Sequence, residues 1–304
     1  MSEYVLETSN LTKVYSRKAA VDSLDLKIRK GDIYGFIGKN GAGKTTAIKL
    51  VVGLAKATKG TIKLFGSDNL AQGRQKIGVV IENPAYYPYM SAKQNLEVQR
   101  IMKGVKDPKV IEEILDIVGL KEAGNKKVKN FSLGMKQRLG IALALVGDPE
   151  FLLLDEPING LDPTGIREIR DLIIKLNKEA GITVLISSHI LGELNKMCTA
   201  YGVISDGKLV SQISRDELEQ SVNPFIELVV NDPEKAVNAF KEELGITDIV
   251  VDGSTLSIYG ANDRILEITS CLEHNDIILQ SISKHHADYE DYFINLMEGE
   301  KVNA

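Results

Sequence analysis

The chain has few cysteines, no long hydrophobic run and no excess of basic charge, and each shortage excludes a class of protein. Its two cysteines, Cys198 and Cys271, lie far apart and outside any Cys-x-x-Cys pattern. A disulfide framework or zinc site is therefore not expected, and a reducing compartment is the default. The longest apolar runs, Ile141–Val146 and Phe151–Leu154, fall far short of the ~18 residues that span a bilayer. The first residues, MSEYVLETSN, hold two acids and no apolar core, unlike a secretion signal.

The charge balance argues against nucleic acid as the partner. Thirty-seven Lys and Arg stand against 42 Asp and Glu, which gives a net charge of −5. A dedicated nucleic-acid binder usually carries a basic face or a high domain pI. Apolar residues make up 43% of the 304 residues and charged residues 26%, as in soluble folded proteins. At roughly 150 residues per domain, the length predicts two domains.

Residues 1–216 alternate short apolar runs with helical patterns, which predicts an α/β domain. Continuous apolar runs suit strands that are buried on both faces of a sheet. A helix is predicted from Lys44 to Gly53, and another starts at Asp162-Pro163, with Asp as N-cap, and ends at Gly181. Between about residues 85 and 148 the periodicity is helical, which predicts a helical subdomain. The predicted strands are Ile33–Ile37, Ile77–Ile81, Phe151–Leu154 and Ile182–Ile186.

Residues 217–304 carry a different pattern, which predicts a small α+β domain. Strands and helices follow in the order β-α-β-β-α-β, with a hairpin turn at Asp252-Gly253 and a last helix at Tyr289–Met297. This order is that of the ferredoxin-like arrangement. Its function is left open: it would bind a small ligand, contact a partner, or hold two copies together.

A glycine-rich segment directly follows the first predicted strand. Gly38-x4-Gly43-Lys44-Thr45 meets the full phosphate-loop pattern between a strand and a helix. Glycines let backbone N–H groups curl around phosphate oxygens, and the positive end of the helix favours an anion. Lys44 would reach the β- and γ-phosphates and Thr45 would bind Mg²⁺; the alternative is a glycine-rich turn without a ligand. The predicted nucleotide-binding residues here are Gly38, Asn40, Gly41, Gly43, Lys44, Thr45 and Thr46.

Two acids end the apolar run at 151–154. Asp155 suits the Mg²⁺ position that accompanies a phosphate loop. Glu156, next along, is placed to activate an attacking water as general base. Without other motifs, two consecutive acids are equally typical of a strand end that faces solvent. The phosphate loop upstream favours the catalytic interpretation.

A further segment, Phe131-Ser132-Leu133-Gly134-Met135-Lys136-Gln137-Arg138, supplies a helix start with an N-cap serine. By itself it indicates only a helix N-terminus available to an anion. Together with the phosphate loop, the acidic strand, Asn159-Gly160-Leu161-Asp162 and a lone His189, it resembles the nucleotide-binding subunits of ABC transporters. The resemblance covers about residues 4–215. It implies a P-loop NTPase fold of the ABC type with a helical subdomain.

The resemblance implies a role for each matching residue. In the family, the serine-glycine segment is the signature motif and binds the γ-phosphate of the ATP held by the opposite subunit; Ser132 and Gly134 match it. Asp162 matches the acid that links the two sites across the dimer. His189 matches a histidine near the γ-phosphate, and Tyr15 an aromatic residue that stacks on adenine. Apart from the motif order, such a histidine is usually structural and such a strand-edge tyrosine is common.

Two departures from the family pattern stand out. The signature segment has Leu133 where the family usually has glycine and Met135 where it has glutamine. Glu82 occupies a position that is normally glutamine; a carboxylate can also ligate Mg²⁺, but it adds a negative charge. This loop resembles that of ATPases handling lantibiotics and bacitracin, as do residues 84–92. We hypothesise that Glu82 couples the nucleotide state to a membrane partner; the alternative is a surface acid without function.

The resemblance therefore implies an ATP- and Mg²⁺-dependent ATPase that powers export or removal of an antimicrobial peptide. Two copies would sandwich the nucleotides head to tail, and a separate permease would place the chain at the cytoplasmic face of the membrane. Alternatives are an exporter ATPase for a lipid or drug, a soluble ABC ATPase acting on nucleic acid or the ribosome, and a nucleotide switch without turnover. For Tyr86, Tyr87 and Tyr89, plain packing under the helical insertion is an equal alternative to a partner contact.

Overall fold

The computed structural model describes residues 3–82, 84–222, 224–285 and 289–298, with side-chain burial left out at 220, 285 and 298. The described chain divides into two compact units. Of the described residues, the first unit comprises those up to Arg215 together with 296–298, and the second those from Asp216 to Asn295.

The first unit combines strands and helices throughout its length. Its strands are β1 (Tyr4–Tyr15), β2 (Lys18–Leu24), β3 (Lys27–Arg29), β4 (Ile33–Ile37), β5 (Lys59–Leu64), β6 (Ile77–Val80), β7 (Phe151–Asp155), β8 (Thr183–Ser188), β9 (Ala200–Ser205) and β10 (Lys208–Ser214). Its helices are α1 (Lys44–Val52), α2 (Leu70–Gln75), α3 (Ala92–Lys103), α4 (Val110–Ile117), α5 (Leu133–Leu145), α6 (Pro163–Ala180) and α7 (Leu191–Asn195), with a 3₁₀ turn at Val128–Asn130.

A six-stranded sheet in the order β10-β9-β4-β8-β7-β6 forms the centre of this unit. All neighbours pair in parallel except β10, which is antiparallel to β9 at the edge. Strands β4, β7 and β8 are buried at every residue, which explains their continuous apolar sequences. Because carboxyl ends of parallel strands meet at one edge, the loops after β4, β7 and β8 come together there.

A second, antiparallel sheet pairs β1 with β2, β3 and β5. The sequence patterns did not predict it. Strand β1 contains register shifts against each partner and a left-handed residue at Asn10. These irregularities interrupt the two-residue alternation by which a half-buried strand is recognised.

The helices α3, α4 and α5 lie in the stretch where a helical subdomain is expected. Helix α3 starts with a capping box at Ser91 and Gln94, and its last turn ends on left-handed Gly104. Helix α4 buries Ile111, Ile114 and Leu115, as the periodicity predicts. Ile101, on α3, is 64% exposed and lies outside that buried face.

The second unit has the predicted order β-α-β-β-α-β. Its elements are α8 (Arg215–Ser221), β11 (Phe225–Val230), α9 (Pro233–Leu244), β12 (Ile249–Asp252), β13 (Thr255–Tyr259), α10 (Ile265–His274), β14 (Leu279–His285) and α11 (Tyr289–Glu298). Helices α8 and α11 each extend beyond the unit boundary, at Arg215 and at Leu296. The antiparallel sheet runs β12-β13-β11-β14. Its alternating buried residues form a core with α9 and α10, which is the split β-α-β arrangement.

None of the described helices combines the length and the apolar character needed to cross a membrane.

Candidate functional site

The glycine-rich loop lies between β4 and α1, as predicted, and surrounds a pocket of about 180 Å³. Lys44, at the first position of α1, is buried, and its Nζ donates to the carbonyl oxygen of Gly38 at 2.5 Å. The lysine thus bends back over the loop that precedes it, where a phosphate would lie. The residues lining the pocket are Ala20, Asn40, Gly41, Ala42, Gly43, Lys44, Thr45, Thr46 and Glu156.

Two glycines are required by close backbone packing around the loop. Gly43 has φ +113°, and a Cβ there would lie 2.4 Å from the carbonyl oxygen of Ala20. At Gly38 an added Cβ would lie 2.5 Å from the carbonyl oxygen of Ile204. Both distances are too short for any side chain, so β2 and β9 fix the curl of the loop. The sequence pattern of the loop predicted these two glycines, but it did not predict that β2 and β9 pack against them.

The acids at the end of β7 meet the first turn of α1. Asp155 is buried, and its Oδ2 accepts a hydrogen bond from the hydroxyl of Thr45 at 2.7 Å. Its Oδ1 accepts one from the hydroxyl of Ser187 at 2.5 Å. Ser187 also holds the next residue, because its carbonyl oxygen and its Oγ accept from the amide of Glu156 at 3.1 and 3.0 Å.

Ser187 is a site residue that sequence reasoning missed. It is fully buried on β8, so its hydroxyl has no solvent to bond with and is used entirely within the site. The available signal was the polar pair Ser187-Ser188 at the end of an otherwise apolar strand, directly before His189. Buried polar side chains are normally hydrogen-bonded, so such a pair indicates partners elsewhere in the fold.

Glu156 lies between a cation and a histidine. Its Oε2 is 2.9 Å from Nδ1 of His189, and its Oε1 is 3.3 Å from Nζ of Lys44. The contact with Lys44 is an ion pair without hydrogen-bond alignment, so among the described residues the buried Oε1 has no hydrogen-bond donor. The backbone of Glu156 has φ +51°, a left-handed conformation that non-glycine residues adopt rarely and that is frequent at functional sites. One oxygen of the carboxylate is thus held by the histidine, while the other faces Lys44 without a hydrogen-bond donor.

The oxygen atoms at this point fit a Mg²⁺ ion. The hydroxyl of Thr45 and the carboxylate of Asp155 are in contact, and both are hard oxygen ligands of the type that Mg²⁺ prefers. Mg²⁺ usually binds through one or two protein oxygens together with substrate phosphates and water. The loop that would hold those phosphates is adjacent.

Glu82 does not contact either of these oxygens in the described chain. It follows β6, has φ +56° and is exposed. Its Oε1 instead pairs with Nζ of Lys49 on α1 at 2.9 Å. Glu82, the third predicted metal ligand, is therefore paired with a lysine that lies one helical turn after Thr45 on α1. The sequence patterns did not identify this lysine.

The signature segment and the acid at 162 cap helices and lie outside the loop's pocket. Ser132 is the N-cap of α5, and its Oγ accepts from the amide of Met135 at 3.3 Å. Asp162 is the N-cap of α6 and accepts from the amide of Gly165 at 3.2 Å. Both capping predictions are confirmed. Neither residue, nor Gly134, lines this pocket.

Tyr15 ends β1 and is 47% exposed, with Nζ of Lys13 4.8 Å from the ring centroid. Its ring is therefore accessible for stacking. Of the tyrosines after Glu82, Tyr87 is 55% and Tyr89 is 73% exposed. Packing under the helical subdomain is thus wrong as an explanation of these two.

Comparison with known sequences gives one consistent result. The family model for the ABC transporter matches residues 21–159. The chain is 41% identical to the uncharacterized ABC transporter ATP-binding protein YcbN of Bacillus subtilis, over 99% of each. It is 41% identical to the bacitracin transport ATP-binding protein BcrA of Bacillus licheniformis, covering 97% of this chain and 98% of BcrA. Identity to the lantibiotic transport ATP-binding protein SrtF of Streptococcus pyogenes is also 41%, over 71% of this chain and 93% of SrtF.

Solved structures similar to this chain are ATP-binding cassettes. One is a dimeric post-hydrolysis state of the cassette MJ0796 bound to ADP and Pi, with TM-score 0.63 and 27% identity over 69% of this chain and 98% of that one. Another is cbiO1 from Clostridium perfringens, part of the ABC transporter complex cbiONQ, with TM-score 0.66 and 26% identity over 80% and 97%.

Proposed function

The chain belongs to the ATP-binding, ATP-hydrolysing proteins of ABC transporters, and we propose that it powers the export or removal of an antimicrobial peptide of the bacitracin or lantibiotic type. The observation that carries the choice of substrate class is the 41% identity to a bacitracin transport ATP-binding protein over nearly the whole of both chains. That similarity includes the second unit, which the match to SrtF does not cover in full. The result for the cell would be resistance or self-immunity.

ATP binding is assigned to the loop between β4 and α1. The backbone N–H groups of the loop and the positive end of α1 would hold the phosphates, with Lys44 between them. Lys44 is already bent over the loop. Mg²⁺, held by Thr45 and Asp155, would neutralise part of the charge that develops on the transferred phosphoryl group.

Hydrolysis is assigned to Glu156 and His189. A water attacks the γ-phosphorus, the bond from that phosphorus to the bridging oxygen breaks, and ADP leaves with the electron pair. Glu156 takes the proton of the water, because its Oε1 faces the loop without a donor of its own. His189 positions the carboxylate through its contact with the other oxygen, at 2.9 Å, and would lie near the γ-phosphate.

A complete site is proposed to need two copies. Ser132 and Gly134 of one copy would contact the γ-phosphate held by the other, while Asp162 would link the two sites. Tyr15 would stack on the adenine. These residues are accessible at helix starts and at a strand end, and the dimeric cassette among the similar structures supports this arrangement.

A separate membrane permease is the proposed partner, at the cytoplasmic face of the membrane. A groove of about 350 Å³ lies between β6 and α5, and Ile81 and Pro84 near Glu82 are among its lining residues. Large apolar side chains that would suit a permease segment are exposed on the same unit, among them Leu54, Ile101, Met102 and Tyr89. The loop that follows β6 borders the groove, and Glu82 in that loop pairs with Lys49 of α1; hydrolysis would reach the permease through this loop.

The deciding experiment is a resistance assay in a sensitive host that expresses this chain with its membrane partner. We expect a raised inhibitory concentration for bacitracin or a lantibiotic, and its loss in Glu156→Gln. Glu150→Gln is the matched control, because Glu150 lies directly before β7 but pairs with surface lysines only. Protection only against a lipid or a drug contradicts the peptide assignment, and unchanged resistance in Glu156→Gln contradicts the assignment of hydrolysis to Glu156. Co-purification with ribosomes or nucleic acid and not with a membrane protein contradicts transport.

A further inference from the structure

A carboxylate in the loop after β6 raises an electrostatic problem for a nucleotide site. The proposed site already contains the acids Asp155 and Glu156 and would receive a triphosphate. A third acid, Glu82, adds a negative charge where glutamine would add none, and added charge of the same sign near a bound triphosphate is unfavourable.

The structure provides a cation for this acid. Nζ of Lys49 lies 2.9 Å from Oε1 of Glu82, a direct ion pair and hydrogen bond. Glu82 follows β6 and Lys49 lies on α1, so the contact joins two elements that are 33 residues apart in sequence. The side chain of Lys49 is 36% exposed and that of Glu82 is 63% exposed, so water weakens the pair but does not remove it.

The position of Lys49 on α1 ties this pair to the metal-binding hydroxyl. Thr45 and Lys49 are four residues apart in one helix, so they project from the same face about 6 Å apart along the axis. The carboxylate of Glu82 is thereby held beside the face of α1 that carries Thr45. The backbone at Glu82 has φ +56°, a conformation with a cost for glutamate that the ion pair helps to offset.

We propose that Lys49 is the positioning residue that allows a carboxylate to replace the amide at position 82, by neutralising Glu82 and holding it against α1. The inference rests on the proposed function, in which Thr45, one turn of α1 before Lys49, would hold the Mg²⁺ of the bound nucleotide. Lys49 is not a catalytic residue, since it acts on the nucleotide only through Glu82. Its importance should therefore depend on the charge at position 82.

The test measures equilibrium binding of a fluorescent ATP analogue to the full chain, with Mg²⁺ and with EDTA, at fixed ionic strength. We expect Lys49→Met to weaken Mg²⁺-dependent binding about twofold to fivefold, the range of an exposed ion pair. In the Glu82→Gln background the same substitution should have no effect beyond error, and Lys49→Arg should restore wild-type binding. Lys76→Met is the matched control, because Lys76 pairs with Glu150 at 2.7 Å on the surface and away from the loop.

Two further readouts separate positioning from general damage. Amide hydrogen exchange of residues 84–91 should accelerate in Lys49→Met, and steady-state hydrolysis should show a raised KM for MgATP with a smaller change in kcat. An equal effect of Lys49→Met in the wild-type and Glu82→Gln backgrounds, no effect in either, or tighter binding overturns the inference.

The failure of the proposed function has a different signature. If the wild-type chain binds the analogue equally with Mg²⁺ and with EDTA, and Thr45→Ala changes nothing, the metal site itself is wrong. If Mg²⁺ dependence is present but Lys49→Met fails to distinguish the two backgrounds, only the role of Lys49 is wrong.

Discussion

The hydroxyl of Ser187 offers the sharpest test of how the acids are held. Replacing Ser187 by alanine removes one oxygen from a fully buried position on β8. That oxygen donates to Asp155 at 2.5 Å and accepts from the amide of Glu156 at 3.0 Å. The amide keeps the carbonyl oxygen of residue 187 at 3.1 Å, so the main loss is the bond to the carboxylate.

The expected magnitude follows from the charge of that carboxylate. A hydrogen bond to an ionised group contributes about 1.5–3 kcal/mol, and a buried acceptor that loses its donor bears the full cost. We therefore expect Ser187→Ala to lower the free energy of unfolding by about 2 kcal/mol. If the whole of this energy were used to orient Asp155 and Glu156 during catalysis, kcat would fall by at most about thirtyfold.

Urea unfolding and steady-state ATP hydrolysis measure the two effects separately. Thr183→Val is the control on the same strand, because the buried hydroxyl of Thr183 accepts from the amide of Gly31 at 2.9 Å, a neutral bond at the opposite end of β8. It should cost about 1 kcal/mol of stability and leave kcat unchanged. If Ser187→Ala lowers stability no more than Thr183→Val, or lowers it while kcat stays at the wild-type value, the reasoning is refuted.

Three other changes have defined outcomes. Gly43→Ala should weaken ATP binding more than about tenfold, because φ is +113° and the added Cβ would lie 2.4 Å from a backbone oxygen of β2. In Gly41→Ala the added Cβ meets no atom within 4 Å, so the loss of affinity should be smaller. Equal losses in fluorescence titrations would contradict this prediction. Arg74→Met should lower the free energy of unfolding by about 1–2 kcal/mol, since the guanidinium caps the last carbonyls of α1, and an unchanged urea midpoint would contradict it. Burial raises the pKa of the Cys198 thiol far above its usual range, and burial beside a carboxylate raises the pKa of Cys271 to about 11. Neither thiol should react with iodoacetamide at about pH 8 until the chain unfolds, since only the thiolate is nucleophilic; rapid native labelling counted by mass spectrometry would contradict this.

What the sequence predicted well is local or depends on one periodicity. Strand β4, the phosphate loop and α1 follow from a contiguous pattern, and the helix from 163 to 180 has its Asp162 cap and its closing glycine. The second unit followed from alternation within short strands and a hairpin turn. Each of these signals is contained within a few residues of the structure that it specifies.

The residues that were missed act across the fold. Ser187 and Lys49 bond to partners that are 32 and 33 residues away; Lys49 lies in no motif, and the polar pair Ser187-Ser188 does not identify its partners. The antiparallel sheet was missed because β1 is irregular, and the exposure of Tyr87 and Tyr89 depends on what surrounds them. Contacts of this kind depend on which strand ends lie next to each other in the fold. The patterns of a single sequence do not specify that arrangement directly.

ATP binding at the proposed site would require an exchange of partners for Lys44. Its Nζ is 3.3 Å from Glu156, and both side chains are largely buried, so a phosphate must compete with that carboxylate for the ammonium group. Measured affinity then reports the difference between the two interactions. Glu156→Gln should therefore tighten binding of a fluorescent ATP analogue, because an amide holds the lysine less strongly than a carboxylate does, while it abolishes turnover. The His189→Ala chain is the comparison, since it also loses a contact to Glu156 but leaves the competing charge in place, and it should lose turnover without gaining affinity. Weaker binding in Glu156→Gln would mean that the carboxylate positions Lys44 for the phosphate and does not compete with it.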